Sequence, residues 1–380
     1  MALSIPCTLS CDLCGCQEFT TLLTARRSMT SDSRLTELPL EKISCNHCGL
    51  GMNRNNDRVE DLTRYYAEEY TLNNRGTAHE HQFVIDGQAI SRSRFIFEWM
   101  ETLIQKTGRH LKNLSLMEVG CGSGELLAHF PNSIKKGIEL NKASAELALQ
   151  KGLPVKNGTY QDIEGQFDLI ISFGVIEHVP SPTDFLKTLR KSLNPEGLLL
   201  IGQPIQDNQS YDIFFIDHLH HFFLPHLSAY FAKTGFHELA QHVGHGPMTN
   251  FSLHLLQAAS PQEKSVESQP SHWNLSGFYE EFQALDQFLA EQAEKNIYAY
   301  GASECLKLYE ANTGLQSYIK GVLDDFQPTA LKLGDLEKDQ SEEVCFILTM
   351  NTAYQEKVSH QIKERFPTSL IYSVQRKSVL

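Results

Sequence analysis

The sequence predicts an α/β protein of three parts: a cysteine-rich N-terminal ribbon, a central domain built on a mostly parallel sheet, and a smaller C-terminal α/β domain. Two C-x-x-C-G motifs lie within residues 11–49, and a buried strand enters a glycine turn and a helix at 116–127. Strand and helix patterns alternate after that turn and again beyond residue 272. We place the parts at 1–56, 57–258 and 272–380, because 380 residues exceed one ordinary core.

Composition and charge restrict the class of protein. Apolar residues make up 41% and aromatic residues 9%, as in a globular chain, and no apolar run is long enough to span a bilayer. The N-terminus lacks the charged and apolar segments of a secretion signal, so a cytoplasmic protein without a membrane partner is expected. A formal net charge of −13 disfavours a nucleic-acid partner. The sequence leaves a monomer and a homodimer equally open.

The N-terminal cysteines predict a metal site. Two residues between a pair of thiols allow a tight turn to point both sulfurs at one ion. The four thiols are those of Cys11, Cys14, Cys45 and Cys48. Four thiolates suit a tetrahedral Zn²⁺ ion and close its coordination shell, so we expect the zinc to be structural. Redox-active or unbound cysteines are the alternative.

Residues 57–107 show apolar and aromatic side chains at helical spacing. This pattern predicts helices that pack between the ribbon and the central sheet. The polar stretch 73–79 interrupts the pattern and is a candidate for a loop that closes over a substrate.

The turn after the first central strand is suited to a bound ligand. Gly120, Gly122 and Gly124 alternate, which predicts positive φ angles and room where other residues would place a Cβ. Glu118 stands at the end of the strand, and Cys121 lies inside the turn. A parallel strand that enters a helix through such a turn is a usual binding place for a nucleotide-like cofactor.

The following strands carry further groups at their ends. Glu139 ends the second strand, where a carboxylate can accept hydrogen bonds from both hydroxyls of a ribose, and Leu140 follows it. Asp162 is placed to accept a hydrogen bond from an adenine amino group, with Tyr160 packing on the ring. Phe173 lies near the end of a fully buried fourth strand.

Residues 114–204 resemble the class I S-adenosylmethionine (SAM)-dependent methyltransferases. The resemblance rests on the turn E-V-G-C-G-S-G, the strand F-D-x-I-x-S, the segment I-E-H-V-P, and the acids Glu139 and Asp162 in their usual order. It implies a Rossmann-like fold with a seven-stranded sheet, an antiparallel hairpin at one edge, and SAM as the cofactor. The residues that it assigns to SAM are Glu118, Gly120, Cys121, Gly122, Gly124, Glu139, Leu140, Tyr160, Asp162 and Phe173.

Two histidine groups lie where a methyl group would be transferred. Methyl transfer is an in-line displacement, so the enzyme must aim the nucleophile and remove its proton where it has one. His178 follows the fourth strand, and an aromatic segment rich in histidine follows the fifth. We expect His218, oriented by Asp217, to act as the base, with His178 as the second candidate. A metal site, or a segment that only shapes the pocket, is the alternative.

A closer resemblance is to the zinc-containing NDP-sugar C-methyltransferases, which join a zinc ribbon, a SAM domain and another α/β domain. Their middle motif runs H-E-H-L-x-Y-F, and Asp217 and His218 match its acid and its second histidine. The chain departs from the family at Phe215, where the family has a tyrosine, and at Pro247 and Met248 in the later hairpin. These departures leave open which acceptor is used and whether carbon or oxygen is methylated.

The C-terminal domain is predicted to be a small Rossmann-like unit of three strands with intervening helices. The glycine turn at 301–303 opens a helix, and its backbone amides are suited to a phosphate. The resemblance implies that this domain helps to hold the nucleotide of a substrate; a structural or dimerising unit is the alternative. The candidate substrate residues are His221, His245, Asn250, Gly301 and Ser303.

Taken together, these features predict a SAM-dependent methyltransferase of a small molecule, a nucleotide-linked keto-sugar methylated at carbon. His218 would remove the proton next to the keto group, and the enolate would attack the methyl group. An O-methyltransferase of a natural product or glycan is the second reading, and a SAM-binding protein without activity is another. An RNA methyltransferase would use the basic ribbon residues Arg26, Arg27, Arg34, Arg54 and Arg58.

Overall fold

The structure, a computed structural model, describes residues 9–54, 59–70, 82–85, 88–111, 114–130, 134–207, 210–264, 273–325, 327, 329–336, 343–350 and 352–374. Backbone contacts divide the chain into two compact units. The first contains the described residues of Met1–Leu23, Glu41–Ile213 and Asp217–His272, and the second those of Thr24–Leu40, Phe214–Ile216 and Trp273–Leu380. The domain boundaries at 56, 258 and 272 stay a prediction. Among the described residues, no helix has the length and apolar character needed to cross a membrane.

The N-terminal segment, which we call the ribbon, contains five short strands in its described part. They are β1 (Phe19–Ala25), β2 (Ser28–Met29), β3 (Leu35–Thr36), β4 (Leu40–Cys45) and β5 (Gly51–Asn53). β4 and β5 pair as an antiparallel hairpin with Ile43 opposite Met52. The second C-x-x-C-G motif begins at the end of β4 and forms the turn of this hairpin, with the Gly49 N–H donating to the Cys45 carbonyl. The ribbon therefore presents one cysteine pair on a rigid turn.

The central elements follow. They are α1 (Val59–Glu68), β6 (Gln82–Ile85), β7 (Gln88–Ser91), α2 (Arg92–Gln105), β8 (Ser115–Val119), α3 (Glu125–Ala128), β9 (Ile134–Glu139), α4 (Lys142–Gln150), β10 (Val155–Asn157), β11 (Phe167–Phe173), α5 (Pro182–Lys191), β12 (Leu193–Pro204), β13 (His220–His221), α6 (Leu224–Thr234), β14 (Phe236–Val243) and β15 (Phe251–Ala258). Short 3₁₀ turns occupy Tyr160–Asp162, Tyr211–Phe214 and Gly246–Met248.

Seven of these strands form one sheet, in the order β10-β9-β8-β11-β12-β15-β14. The first five run parallel, and β14 and β15 form an antiparallel hairpin at one edge. The apolar residues of β11 and β12 are buried on both faces of the sheet, as parallel strands require. The predicted Rossmann-like fold of the central domain is confirmed.

The lead-in to the sheet is only partly helical. α1 and α2 form as the spacing predicted, and Ser91 caps α2 by accepting a hydrogen bond from the Arg94 N–H. Between them β6 and β7 pair as a hairpin with Phe83 opposite Ile90. The sequence Asp-Gly between the two strands favours such a hairpin, and the helical reading of this stretch missed it. The predicted loop at 73–79 lies outside the described residues.

The second unit contains a smaller sheet. Its elements after residue 272 are α7 (Ser276–Glu291), β16 (Asn296–Tyr300), α8 (Glu304–Asn312), α9 (Leu315–Tyr318), β17 (Ile319–Leu323), β18 (Val344–Leu348), α10 (Thr352–Arg365) and β19 (Leu370–Ser373). The strands are all parallel, in the order β17-β16-β18-β19. The three predicted strands are present. The fourth, β19, was missed because it is only four residues long and is largely accessible to solvent.

Candidate active site

The glycine turn after β8 has the predicted backbone. Gly120, Gly122 and Gly124 have φ angles of 72°, 54° and 83°. A Cβ on Gly120 would lie 2.6 Å from Val175, and one on Gly124 would lie 2.3 Å from Leu153, so packing excludes a side chain at both. A Cβ on Gly122 would meet nothing within 4 Å. Gly122 therefore faces open space that a ligand can occupy.

Cys121, also assigned to SAM, directs its side chain elsewhere. The thiol is buried, and a Cβ built on Gly137 of β9 would lie only 2.6 Å from its sulfur. The side chain thus packs beneath the turn against β9, where burial raises the pKa of the thiol above its ordinary value. Any contact of Cys121 with a ligand in the turn would be made by its backbone.

Glu139 is fixed beside the open glycine. Its Oε2 accepts a hydrogen bond of 2.8 Å from the Gly122 N–H, and its Oε1 accepts one of 2.7 Å from the Asn141 N–H. Burial raises the pKa of Glu139, and the two amides oppose that rise. The Asn141 side chain caps α4 by accepting a hydrogen bond from the Ser144 N–H, and it donates one to the carbonyl of Tyr70, which follows α1. The carboxylate therefore has a set orientation before any ribose binds.

Asp162 and Tyr160 lie beyond the end of β10. The Thr159 N–H and hydroxyl donate to Asp162 Oδ2 at 2.8 and 3.0 Å, which holds the pKa of Asp162 below its ordinary value. Tyr160 is half-buried, with its ring edge-to-face against Phe185 at 5.0 Å. Asp162 is thus an exposed, ionised acceptor, as recognition of an adenine amino group requires. Both assignments stay predictions.

Phe173 ends β11, and the predicted substrate residues His245 and Asn250 lie between β14 and β15. Phe173 stacks on Phe251 with ring centroids 5.3 Å apart, and the Arg92 guanidinium lies 5.5 Å from the Phe173 centroid. His245 is exposed and has its ring 5.2 Å from that of Phe95. Asn250 is buried, and its Nδ2 has no hydrogen-bond partner among the described residues.

The ends of three neighbouring strands carry buried polar atoms without a partner. Within the described part of the chain these include Glu118 Oε2 on β8, Ser172 Oγ on β11 and Gln203 Oε1 on β12. Folded proteins pair nearly all such atoms, so a missing ligand is the simplest account. Burial raises the pKa of Glu118 well above its ordinary value, and the charges of Glu125 and Glu139 add to the rise. A cationic group of a ligand would reverse it, and SAM carries an ammonium and a sulfonium. The residues present fit SAM.

His178 is held by Tyr66 and Asp217. The Nδ1 of His178 lies 2.8 Å from the Asp217 carbonyl and 2.6 Å from the Tyr66 hydroxyl, which itself donates to Asp217 Oδ2 at 2.7 Å. Because a carbonyl only accepts, Nδ1 carries the proton and Nε2 the lone pair. Burial lowers the pKa of His178 below its ordinary value. Tyr66 was not among the predicted site residues, and nothing in its helical spacing singled it out.

The acid that contacts His218 is Asp212, which corrects the expected pairing with Asp217. His218 Nδ1 and His221 Nδ1 each lie 3.2 Å from Asp212 Oδ2. Burial alone would raise the pKa of Asp212, but the two histidines outweigh it and hold the pKa well below its ordinary value. The carboxylate of Asp217 accepts instead from Tyr66, because side chains of adjacent residues diverge.

His178 and His218 come together. Their rings meet edge-to-face with centroids 4.7 Å apart. The nitrogen and carboxylate atoms of Glu177, His178 and His218 lie within 4.8 Å of one another, as do those of Asp212, His218 and His221. A metal ion therefore stays an alternative to a general base. His221, a predicted substrate residue, is wholly buried in the Asp212 network.

The glycine turn of the second unit is already occupied by its own groups. The Ala302 N–H donates to Asp324 Oδ2 at 2.8 Å, and the Ser303 hydroxyl donates to the Thr349 carbonyl at 2.7 Å. A Cβ on Gly301 would lie 2.8 Å from the Met350 nitrogen. A carboxylate thus sits where a phosphate was expected, which counts against the predicted role of Gly301 and Ser303.

The four ribbon cysteines converge. The sulfurs of Cys11 and Cys48 are 3.6 Å apart, those of Cys14 and Cys45 are 3.5 Å apart, and all four lie within 4.8 Å of one another. These distances exceed a disulfide bond of about 2.05 Å. They approach the separation of roughly 3.8 Å between sulfurs around a tetrahedral zinc ion with Zn–S bonds of about 2.3 Å. The donor set and its geometry fit structural Zn²⁺.

The first unit matches a known type of domain. Residues 89–244 match the protein family described as a methyltransferase domain. A ubiquinone biosynthesis O-methyltransferase of Caulobacter vibrioides is 30% identical over 103 residues, which are 24% of this chain and 41% of that protein. A trans-aconitate 2-methyltransferase of Deinococcus radiodurans is 29% identical over 96 residues, 23% of this chain and 37% of that protein. The chain spans less than half the length of these curated relatives.

Among the solved structures to which the chain is weakly similar are two methyltransferases. One is the magnesium protoporphyrin IX methyltransferase of Synechocystis PCC 6803 with bound SAM. The aligned region covers 55% of this chain and 100% of that protein, at 15% identity and a TM-score of 0.39. The other is a possible histamine N-methyltransferase of Thermotoga maritima. The aligned region covers 44% of this chain and 90% of that protein, at 20% identity and a TM-score of 0.35. Both likenesses are too distant to bear on the acceptor.

Proposed function

We propose that this chain, which carries a SAM-dependent methyltransferase domain in residues 89–244, methylates a small molecule with His218 as the general base. The observation that carries the proposal is the pair of imidazoles of His178 and His218 beyond the carboxyl ends of β11 and β12, with centroids 4.7 Å apart. His218 is buried, and His178 is partly buried. In an open α/β sheet this is the edge at which ligands bind. The same edge bears the open Gly122 and the orphaned polar atoms of Glu118 and Ser172.

Each residue has a defined task in this reaction. SAM supplies the electrophilic methyl group when it is bound. Glu139 accepts the ribose hydroxyls, and Asp162 accepts from the adenine amino group. His218 Nε2 takes a proton from the acceptor, and the ionised Asp212 stabilises the imidazolium that results. His178, whose Nδ1 is tied to the Asp217 carbonyl, presents its own Nε2 as a second polar group for the acceptor.

The finer proposal for the acceptor is a nucleotide-linked keto-sugar, methylated at carbon through an enolate. It is supported by the resemblance of the ribbon, the SAM domain and the Asp217–His218 segment to the sugar C-methyltransferases. Oxygen methylation is the second candidate, and it is favoured by the names of the curated relatives, which include ubiquinone biosynthesis O-methyltransferases. The carboxylate of Asp324 at the second glycine turn counts against a phosphate there.

RNA is a poorer acceptor than a small molecule. Of the basic ribbon residues, Arg27 pairs with Glu37, Arg34 with Asp32, and Arg54 with Glu41 at 2.8, 3.1 and 2.6 Å. Arg58 lies outside the described residues. Carboxylates thus neutralise three of the five cations on which phosphate binding would depend. A structural zinc in the cysteine cluster and a cytoplasmic location complete the proposal; the oligomeric state stays open.

The test is a product screen. Methyl-labelled SAM is incubated with a panel of nucleotide keto-sugars, phenols and carboxylic acids, and products are identified by mass spectrometry. We expect label on one acceptor class, with turnover lost in His218→Ala and SAM binding kept. His237→Ala, which removes an exposed histidine of β14, is the matched control and should behave as the wild type. Full turnover by His218→Ala would end the assignment of that residue as the base.

A further inference from the structure

We propose that Lys42, in the ribbon, is a positioning residue of the active site that sets the tautomers of His221 and His218. This inference rests on the proposed function for the role of His218 as a base. It assigns to the ribbon a part in catalysis that a structural zinc site alone does not imply.

Lys42 occupies an unusual position for a lysine. It lies in β4 with 0% of its surface exposed. Its Nζ donates to the His218 carbonyl at 2.7 Å and lies 2.7 Å from His221 Nε2. Burial lowers the pKa of Lys42 to about 7, although the charges of Asp212 and Asp217 oppose the fall. Since burying an ammonium group is costly, a purely packing role would be served better by an apolar side chain of similar length.

The contact fixes the proton of His221. The ammonium group of Lys42 can only donate, so His221 Nε2 must accept and carries its lone pair. The proton of this neutral imidazole is then on Nδ1, which faces Asp212 Oδ2 at 3.2 Å. Burial and, after it, the charge of Lys42 lower the pKa of His221 to about 3, although Asp212 opposes the fall, so the ring stays neutral.

The same oxygen orders His218. Asp212 Oδ2 lies 3.2 Å from His218 Nδ1, and a carboxylate accepts from both rings. Its other oxygen, Oδ1, is engaged by the Ser210 hydroxyl at 2.8 Å and by the Gln206 amide. His218 therefore carries its proton on Nδ1 and its lone pair on Nε2, the arrangement that a base needs. Lys42 acts on His218 through the hydrogen bonds that join His221, Asp212 and His218, and also through the His218 carbonyl.

The backbone links the histidines to the ribbon as well. The ribbon sheet has the order β1-β4-β5-β13, so the strand His220–His221 is its edge strand. His221 pairs with Gly51 of β5, and the Asn53 N–H donates to the Leu219 carbonyl. The β4–β5 hairpin thus carries Cys45 and Cys48 at its turn and Lys42 near the other end. The turn with Cys45 and Cys48 and the strand His220–His221 therefore belong to one hydrogen-bonded sheet.

The experiment reads the tautomers directly. The full chain is labelled with ¹⁵N-histidine, bound to S-adenosylhomocysteine, and examined by two-bond ¹H–¹⁵N correlation spectra. Signals are assigned with His218→Asn and His221→Asn variants. We expect the wild type to show a proton on Nδ1 of both rings. A proton on Nε2 of His221 would overturn the proposal, so the spectrum of the wild type is already a test before Lys42 is replaced.

Lys42→Met then removes the donor while keeping the length of the side chain. We expect His221 to become a mixture of tautomers and its pKa to rise, because the repelling charge is gone, with affinity for S-adenosylhomocysteine unchanged. The matched control is Lys233→Met. In the wild type, the Nζ of Lys233 donates to the Asp12 and Leu13 carbonyls of the ribbon and not to a histidine. Identical histidine spectra in Lys42→Met and the wild type would refute the proposal. Full activity of His218→Ala would instead overturn the proposed function and leave the tautomer result standing.

Discussion

Glu139 offers the sharpest test of the cofactor site. Its two carboxylate oxygens are held by the amides of Gly122 and Asn141, and both keep further capacity to accept. If they accept the two ribose hydroxyls, Glu139→Ala removes two hydrogen bonds to a charged group. Glu139→Gln retains the shape of the side chain but leaves only one acceptor oxygen.

The expected magnitude follows from these contacts. A hydrogen bond to a charged group contributes about 1.5–3 kcal/mol. Loss of both bonds therefore costs about 3–6 kcal/mol, or roughly two to four powers of ten in the dissociation constant. Glu139→Gln, which loses about one bond, should bind roughly ten- to a hundredfold more weakly. A ligand at a hundred times its dissociation constant stabilises a protein by about 2.7 kcal/mol, so its thermal shift should vanish in Glu139→Ala.

The assay is calorimetric titration with S-adenosylhomocysteine, with thermal melting of each variant. Glu146→Gln makes the same change of charge on the exposed face of α4 and serves as the control. The melting temperature of each unliganded variant shows whether loss of the Gly122 contact has disturbed the turn. Wild-type affinity in Glu139→Ala would refute the placement of the ribose.

Three further outcomes are expected. Elemental analysis should find one zinc per chain, lost in the Cys11→Ser/Cys14→Ser double variant because two thiolates cannot complete the coordination shell. Tyr66→Phe should lower turnover while leaving affinity for SAM unchanged, since it removes only the hydroxyl between His178 and Asp217. Burial raises the pKa of Glu177 from 4.5 to about 7, so the folded chain binds this proton more tightly than the unfolded chain. Between those pH values the free energy of unfolding should fall as the pH rises. Glu177→Gln should remove up to about 3 kcal/mol of that fall. Denaturant unfolding at pH 5 and pH 7.5 measures the difference.

Each of these outcomes has a contrary result. Zinc retained by the double variant would place the ion on other ligands. A weaker affinity for SAM in Tyr66→Phe would mean that the hydroxyl supports the cofactor and not the histidines. An unchanged pH profile in Glu177→Gln would show that the carboxyl is ionised across this range despite its burial.

Local patterns were enough for much of the fold. The alternation of apolar strands with helices predicted an α/β fold with a mostly parallel sheet, because each element must bury an apolar face. The number of seven strands followed from the resemblance to the class I methyltransferases. The positive φ angles of Gly120, Gly122 and Gly124 followed from their spacing, since only glycine adopts that backbone at low cost. Short elements such as β19, which has four residues, carry too weak a pattern to be recognised in this way.

The candidate site was predicted only in part. His178 and His218 were chosen because they follow strand ends, and the structure brings their rings together. Their partners Asp212, Tyr66 and Lys42 were missed, since they reach the site through a 3₁₀ turn, a separate helix and the ribbon. Adjacency in sequence suggested Asp217 for His218, but neighbouring side chains diverge.

The sequence by itself determined the fold class, the glycine turn after β8 and the convergence of the four cysteines, because each depends on contacts within a few residues or on a fixed spacing of residue types. The binding of SAM by this turn and Glu139 stays a prediction. The tertiary structure decided which acid holds which histidine, and it brought Lys42 and Tyr66 to the histidines. The Lys42–His221 and Tyr66–His178 contacts join residues 179 and 112 positions apart, so no local periodicity records them. The contact to His221 accompanies the pairing of β13 at the edge of the ribbon sheet.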